Sequence, residues 1–261
     1  MSSALPVLGA FLCAAAVEAV RPWRPAPSFA LARWLSNLAL FVLAIGLNFL
    51  LVPVVAIVAF TGVNGWVPLW VQLVIGVPAL DALSYALHRA FHASPILWRF
   101  HALHHSDPEL DVSTTVRHHP GEALLMGFAV GVLATAVGLS PFVIGFYASL
   151  NLAVQFFAHA NVGLPIRLAN ALAWLVVTPV LHRVHHSRHP ADLATNYGLV
   201  FSVWDRLLGT YRSEPEYGEA AIEFGIDRLR GQYFQRLDRM LWLPFFFPEN
   251  IKDRLQQTLI R

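Results

Sequence analysis

The sequence predicts an all-α fold: an integral membrane helical bundle carrying a histidine-rich di-metal site on its cytoplasmic side. Three observations predict it. Only 13% of the 261 residues are charged and 56% are hydrophobic, whereas a soluble domain carries roughly 25% charged residues. Apolar runs recur along the first 160 residues, and mean hydropathy is +0.54. All 12 histidines fall between positions 88 and 189.

The runs are Leu5–Val20, Trp34–Phe60, Trp66–Leu87, Ala123–Gly138 and Phe142–His159. A helix crosses a bilayer with ~20 mostly apolar residues. The first run is the shortest and carries Glu18; no Lys or Arg precedes it, which argues against a cleaved signal peptide. All 18 Lys and Arg lie in 21–33, 89–117 or 167–261. Basic residues prefer cytoplasmic loops, so 21–33, 88–120 and 160–261 are expected inside, with Thr61–Gly65 and Leu139–Pro141 on the far side. The net charge of +2 and pI of 8.9 are then juxtamembrane arginines facing anionic lipid, not a nucleic-acid footprint. Cys13 is the only cysteine. That excludes an intrachain disulfide, a cysteine-ligated iron–sulfur cluster and a multi-thiolate zinc site.

Three regions follow: N-terminal transmembrane helices over 1–80, a histidine-rich region over 81–212 and an amphipathic tail over 213–261. The tail opens on the polar, Pro/Gly-broken stretch "RSEPEYGEAAIEF". Asp227–Arg239 and Glu249–Arg261 are expected as short amphipathic helices. Met240–Pro248, "MLWLPFFFP", is aromatic enough to lie in the membrane interface or to pack on the core.

Nine histidines form a spaced set: His88-x-x-x-His92, His101-x-x-His104-His105, His159 and His182-x-x-His185-His186. Residues three or four apart share a helix face, so His88 and His92 can point at one ion, and each H-x-x-H-H box offers up to three imidazoles. Neutral imidazole binds iron, zinc, copper and nickel strongly. His118 and His189 fit no spacing and read as solvated. His119 is open between a ligand or supporting role and neither.

From Asp81 to Arg212 the chain resembles the fatty acid hydroxylase/sterol desaturase superfamily of membrane metal-dependent oxidases. The resemblance rests on "DALSYALHRAFH", "WRFHALHHSDPELDVSTTVRHHPGE", "FFAHANVGLP", "VTPVLHRVHHS" and "NYGLVFSVWDRLLGTYR". The bacterial sterol desaturase branch looks most similar. The resemblance implies an O2-dependent enzyme with two Fe ions and O2 as co-substrate, hydroxylating or desaturating a membrane lipid in a bacterial inner membrane. Its metal ligands would be His88, His92, His101, His104, His105, His159, His182, His185 and His186. No electron-transfer domain is fused, so a separate electron donor protein is implied. This sequence departs from the pattern at His118, where an aromatic residue is frequent, and at Leu208, where phenylalanine is usual. It also has His159-Ala160-Asn161 where fatty acid 2-hydroxylases carry two histidines, which leaves a tenth ligand to Asn161, His119 or water. Independently of the family, attack on an unactivated C–H bond needs a redox-active metal, which zinc is not.

Several polar residues are candidates for support. Asp81, two turns before His88, either orients a histidine or bonds a neighbouring helix. Asn151, Gln155 and His159 form an i, i+4 stripe, read as interhelical hydrogen bonding. Glu122 suits the N-terminus of the following helix, while Asn196, Tyr197, Trp204 and Asp205 fix the fold after the last box. The rival outside enzymes is a histidine-lined metal-ion transporter, which needs ionisable residues on broken helices near the midplane; eight of the nine histidines instead follow or end apolar segments. A zinc hydrolase would need H-E-x-x-H, which is absent. Within enzymes, the alternative is alkylglycerol-type ether-lipid monooxygenation.

Overall fold

The computed structural model describes residues 4–25, 30–50 and 67–246. Among these the chain is helical, apart from two isolated bridges joining Pro22 to Val162 and Val176 to Phe201. The main helices are α1 (Ala4–Val20), α2 (Ala30–Phe49), α3 (Leu69–Ala93), α4 (Pro95–His105), α5 (Pro120–Ala136) and α6 (Pro141–His159). Shorter ones follow: α7 (Ile166–Leu172), α8 (Pro179–His185), α9 (Pro190–Leu193), α10 (Val203–Leu207) and α11 (Leu237–Trp242).

One local device starts five of these helices: Ser94-Pro95, His119-Pro120, Ser140-Pro141, Thr178-Pro179 and His189-Pro190. Proline at the first helical position gives up an N–H that would have no partner there, and its φ is already helical. In four of them the preceding side chain also accepts a backbone N–H of the first turn. Because α4 and α8 carry the two H-x-x-H-H boxes, these prolines decide where each box begins. Inside α3, Pro78 follows a π-helical turn, Gln72–Gly76. The wider turn accommodates the missing N–H and the ring.

Three helices among the described residues are long and apolar enough to cross a membrane: Leu31–Phe49, Leu69–Ala93 and Pro141–His159. α1 and α5, expected as spans, are shorter apolar helices. Residues 51–60 of the second run and the loop 61–65 lie outside the described residues. Large apolar side chains face outward on several helices, among them Leu35 and Val42 on α2, Ile75 on α3, Phe128 on α5 and Phe142 on α6; water does not tolerate such contiguous surface.

The acid in α1 has a clear function. Glu18 accepts the backbone N–H of Val112 and of Asn161 and so ties α1 to the loops around the histidines. At the same level Arg33 of α2 is wholly buried between Asp107, at 2.7 Å, and Asp111. Arg117, also buried, donates to the Leu103 carbonyl, Ser106 and Asn37, clamping the end of α4. Removing the cation from a buried pair leaves charge without compensation, which costs about 3–5 kcal/mol. Arg33→Ala is therefore expected to lower the thermal midpoint in detergent strongly; an unchanged midpoint would contradict this ionic anchor.

The tail corrects one expectation and resolves another. Asp227–Arg239 is not a single amphipathic helix. Two 3-10 turns, Asp227–Leu229 and Gln232–Gln235, flank Gly231 before α11 begins, and the Gln235 side-chain amide donates to the Leu229 carbonyl. Met240 and Leu243 are buried with Leu40, Trp98 and Leu103, so this part packs on the core. Trp242, Phe245 and Phe246 face outward. Glu249–Arg261 lies outside the described residues.

Candidate metal centre

The nine histidines of the spaced set converge at one end of the bundle in two clusters. His88, His92, His101, His105 and His185 form the first; His104, His159, His182 and His186 form the second. Within each, one donor atom per residue lies within 4.8 Å of every other. Helix periodicity explains the division. On α4, His101 and His105 are four residues apart and share a face, while His104 points to the other cluster. On α8, His182 and His186 join the second cluster and His185 the first.

Hydrogen bonds set the protonation of several rings. His88 Nδ1 lies 2.8 Å from the Tyr197 carbonyl, His159 Nδ1 2.9 Å from that of Gln155, and His185 Nδ1 2.7 Å from that of Thr195. A carbonyl only accepts, so each Nδ1 carries the proton and each Nε2 keeps a lone pair. His101 Nδ1 donates in the same way to Glu122, at 2.7 Å. His88 Nε2 and His101 Nε2 lie 3.1 Å apart, close enough to bind one shared cation. Further Nε2 pairs meet at 3.2 Å (His101–His105 and His104–His159), 2.9 Å (His159–His182) and 3.1 Å (His182–His186). Two nitrogens ~2.1 Å from one ion and at right angles lie about 3.0 Å apart. His92 Nε2 and His185 Nε2 are buried with no hydrogen-bond partner. Burial, then the neighbouring imidazoles, pushes His104, His105, His182 and His186 well below the usual histidine range; His185 falls to about 3, chiefly through burial. Neutral imidazole is the ligand form. The residues present fit two bound metal ions.

A cavity of about 500 Å³ opens against both clusters. Its walls include Phe41, Ala44 and Ile45 of α2, Met126 of α5 and Leu152 of α6; His88 and His101 of the first cluster and His104 and His182 of the second also line it. The size is that of a small-molecule site, and the lining suits an apolar chain.

The sequence profile of the fatty acid hydroxylase family matches residues 73–210, just over half of the chain. The chain belongs to that family. The family is one of oxygen-dependent oxidoreductases, and the matched stretch contains every clustered histidine. Ornithine lipid hydroxylase OlsE of Rhizobium tropici is 34% identical over 149 residues, 57% of this chain and 44% of that protein. Alkylglycerol monooxygenase of Danio rerio is 31% identical over 181 residues, 67% of this chain and 39% of that one. Very-long-chain aldehyde decarbonylase GL1-1 of Oryza sativa is 28% identical over 176 residues, 62% and 28%. The chain spans less than half the length of these relatives. No solved structure shows a significant match.

Both protein residues considered for a tenth family ligand have their side-chain polar atoms engaged elsewhere. His119 caps α5: its Nδ1 accepts the Gly121 N–H and its Nε2 donates to the Leu241 carbonyl, so both nitrogens are taken. Asn161 pairs with the backbone of Arg24 through both side-chain atoms. His118, read as solvated, is instead two-thirds buried, bonds Glu122 at 2.9 Å and stacks on His104. The i, i+4 spacing of His118 and Glu122 was the signal that sequence reading passed over. Glu122 does more than suit a helix N-terminus, since it holds His101. His189 stays apart from the clusters, against Tyr217.

The supporting shell comes largely from 195–210. Thr195 and Tyr197 supply the carbonyls that orient His185 and His88, roles that depend on backbone position and leave no mark in side-chain identity. Asn196, with φ of 52°, makes the turn between them and donates to the Leu181 and Arg212 carbonyls. Asp205 accepts the N–H of Tyr197 and Gly198 and the Thr210 hydroxyl. Asp81 bonds this segment and not a histidine: it accepts from Val200, Phe201, the Trp204 indole and Tyr147. The stripe is not interhelical as expected: Asn151 donates to the Tyr147 hydroxyl one turn back on the same helix, and Gln155 to the Leu199 carbonyl in the segment before α10.

Proposed function

We propose that this chain is a membrane-bound non-haem di-iron oxidase that hydroxylates or desaturates a lipid acyl or ring carbon with O2. The observation that carries the reading is the apolar cavity walled by histidines of both clusters. His88, His92, His101, His105 and His185 would hold one iron; His104, His159, His182 and His186 would hold the other. When bound, the irons supply the oxidising power drawn from O2 and two electrons, the electrons coming from a separate donor protein. The chain's own contribution is placement. Carbonyls of Thr195, Tyr197 and Gln155 keep protons on Nδ1, and burial keeps His104, His105, His182, His185 and His186 neutral. Phe41, Ile45, Met126 and Leu152 exclude water and align the lipid chain beside His101 and His104. On this reading 81–212 is the catalytic region, 1–80 supplies membrane helices and 213–261 a tail.

The test is to express the protein in cells grown in air or anaerobically and to compare their lipids by mass spectrometry, with isotopic O2 tracing any added oxygen. One added oxygen atom, or two fewer hydrogens, is expected only in air. A modified lipid that forms anaerobically would sink the oxidase. Alkylglycerol cleaved to aldehyde in air would favour the ether-lipid alternative, supported by the alkylglycerol monooxygenases among the relatives. Proteoliposomes that move iron or zinc without lipid change would favour a transporter.

We also infer a bacterial inner-membrane location with the histidine end in the cytoplasm, from the confinement of basic residues to 21–33, 89–117 and 167–261. Exposed Glu214 is a suitable reporter. As cysteine in a Cys13→Ala background, it should resist an impermeant thiol reagent in intact cells and react in inverted vesicles. The reverse pattern would overturn the orientation.

A further inference from the structure

His118 is the one histidine outside the nine that touches both clusters. Its Nδ1 and that of His101 donate to the same oxygen, Glu122 Oε1, at 2.9 and 2.7 Å. Its ring lies parallel to His104, centroids 4.2 Å apart and planes at 13°. The side chain is 34% exposed, and that free part lines the cavity. The other oxygen of Glu122 is buried with no partner, so the carboxylate is held in place by these two imidazoles. Just before it, Arg117 is locked to the end of α4, which leaves His118 little freedom to move away.

We propose that His118 is a positioning residue that braces the two clusters against each other and against the cavity. Through Glu122 it fixes the donor ring of His101 in the first cluster; through its stacked face it fixes His104 in the second. As cavity wall, it transmits the seating of a chain to both rings. This rests on the di-metal reading for its consequence but not for its geometry. The three contacts are separable. Phenylalanine at 118 keeps the stack and the wall and loses the donor; glutamine keeps a donor and loses the stack; alanine loses all three.

The test uses full-length protein with ¹⁵N-labelled histidine in detergent, observing imidazole N–H protons by NMR, first metal-free and then with cobalt(II) as probe. In the metal-free protein, His118→Phe should shift the His101 Nδ1–H signal and change its exchange with solvent by about tenfold or more, because the charged oxygen that the two rings share loses one of its two donors. His118→Gln should reverse much of the change, and Glu122→Gln should move the His101 and His118 signals together. In the cobalt-loaded protein, the His104 signals should move in His118→Ala and stay in His118→Phe. A His101 signal unmoved by His118→Phe overturns the brace, whatever the metal does. A wild-type protein that takes up no cobalt overturns the di-metal reading, while the metal-free comparison still decides on His118. A loss of the native spectrum in His118→Ala alone would leave the decision with the phenylalanine and glutamine variants, which fill the space.

Discussion

On the proposed di-iron reading, replacing His182 with alanine is expected to empty the second cluster, lowering iron from two atoms per chain toward one and abolishing lipid oxidation. His182 is, with His159, a central donor of that cluster, its Nε2 lying 2.9 Å from His159 and 3.1 Å from His186. It also reaches the cavity wall. Loss of a residue that merely supports a ligand costs ~10–100-fold in metal affinity or activity, so loss of a central donor should exceed a hundredfold. Iron by elemental analysis, product by mass spectrometry and helix content by circular dichroism are the measurements. His189→Ala is the control, since that ring lies against Tyr217 and outside both clusters. Two irons and full turnover in His182→Ala would falsify the two-cluster site.

Asp81→Ala is expected to cause a large loss of stability, on a par with that of Arg33→Ala. Its carboxylate, wholly buried, accepts from the Val200 and Phe201 amides, the Trp204 indole and the Tyr147 hydroxyl. A hydrogen bond to a charged group contributes roughly 1.5–3 kcal/mol, and the donors left behind would be buried without partners. Non-additivity within one network keeps the expected total to about 3–5 kcal/mol. The same segment carries the Tyr197 carbonyl that orients His88, so iron in the first cluster should fall as well. Asp81→Asn, which keeps a carbonyl acceptor, should recover part of both. Thermal unfolding in detergent and iron content test this together. An alanine variant with an unchanged midpoint would show that α3 and the 200–204 segment are held by packing alone.

Local rules read from the chain reached a long way. Histidine spacing picked out nine side chains; the i, i+4 pairs His88/His92, His101/His105 and His182/His186 each enter one cluster because they share a helix face, and the fold brings all nine together. Apolar runs found the helices, and α2, α3 and α6 have the length to cross a bilayer. Local rules failed where one residue's partner depends on another segment. His118 looked solvated because it fits no box, yet the turn into α5 swings it over His104. Asp81 was open between two roles, and only the return of residues 200–204 to α3 decided between them.

By itself, then, the sequence determined the helical class, the set of nine spaced histidines and the exclusion of multi-thiolate sites, because these follow from residue type, spacing and hydropathy. The tertiary structure alone decided how the nine divide five and four, which backbone carbonyls orient the rings, and how Glu122 joins His101 to His118. It also ruled His119 and Asn161 out of the clusters. The physical reason is common to all of these. A histidine's two nitrogens are equivalent on paper, and what each one does is set by the acceptor or lone pair that the fold brings within about 3 Å of it.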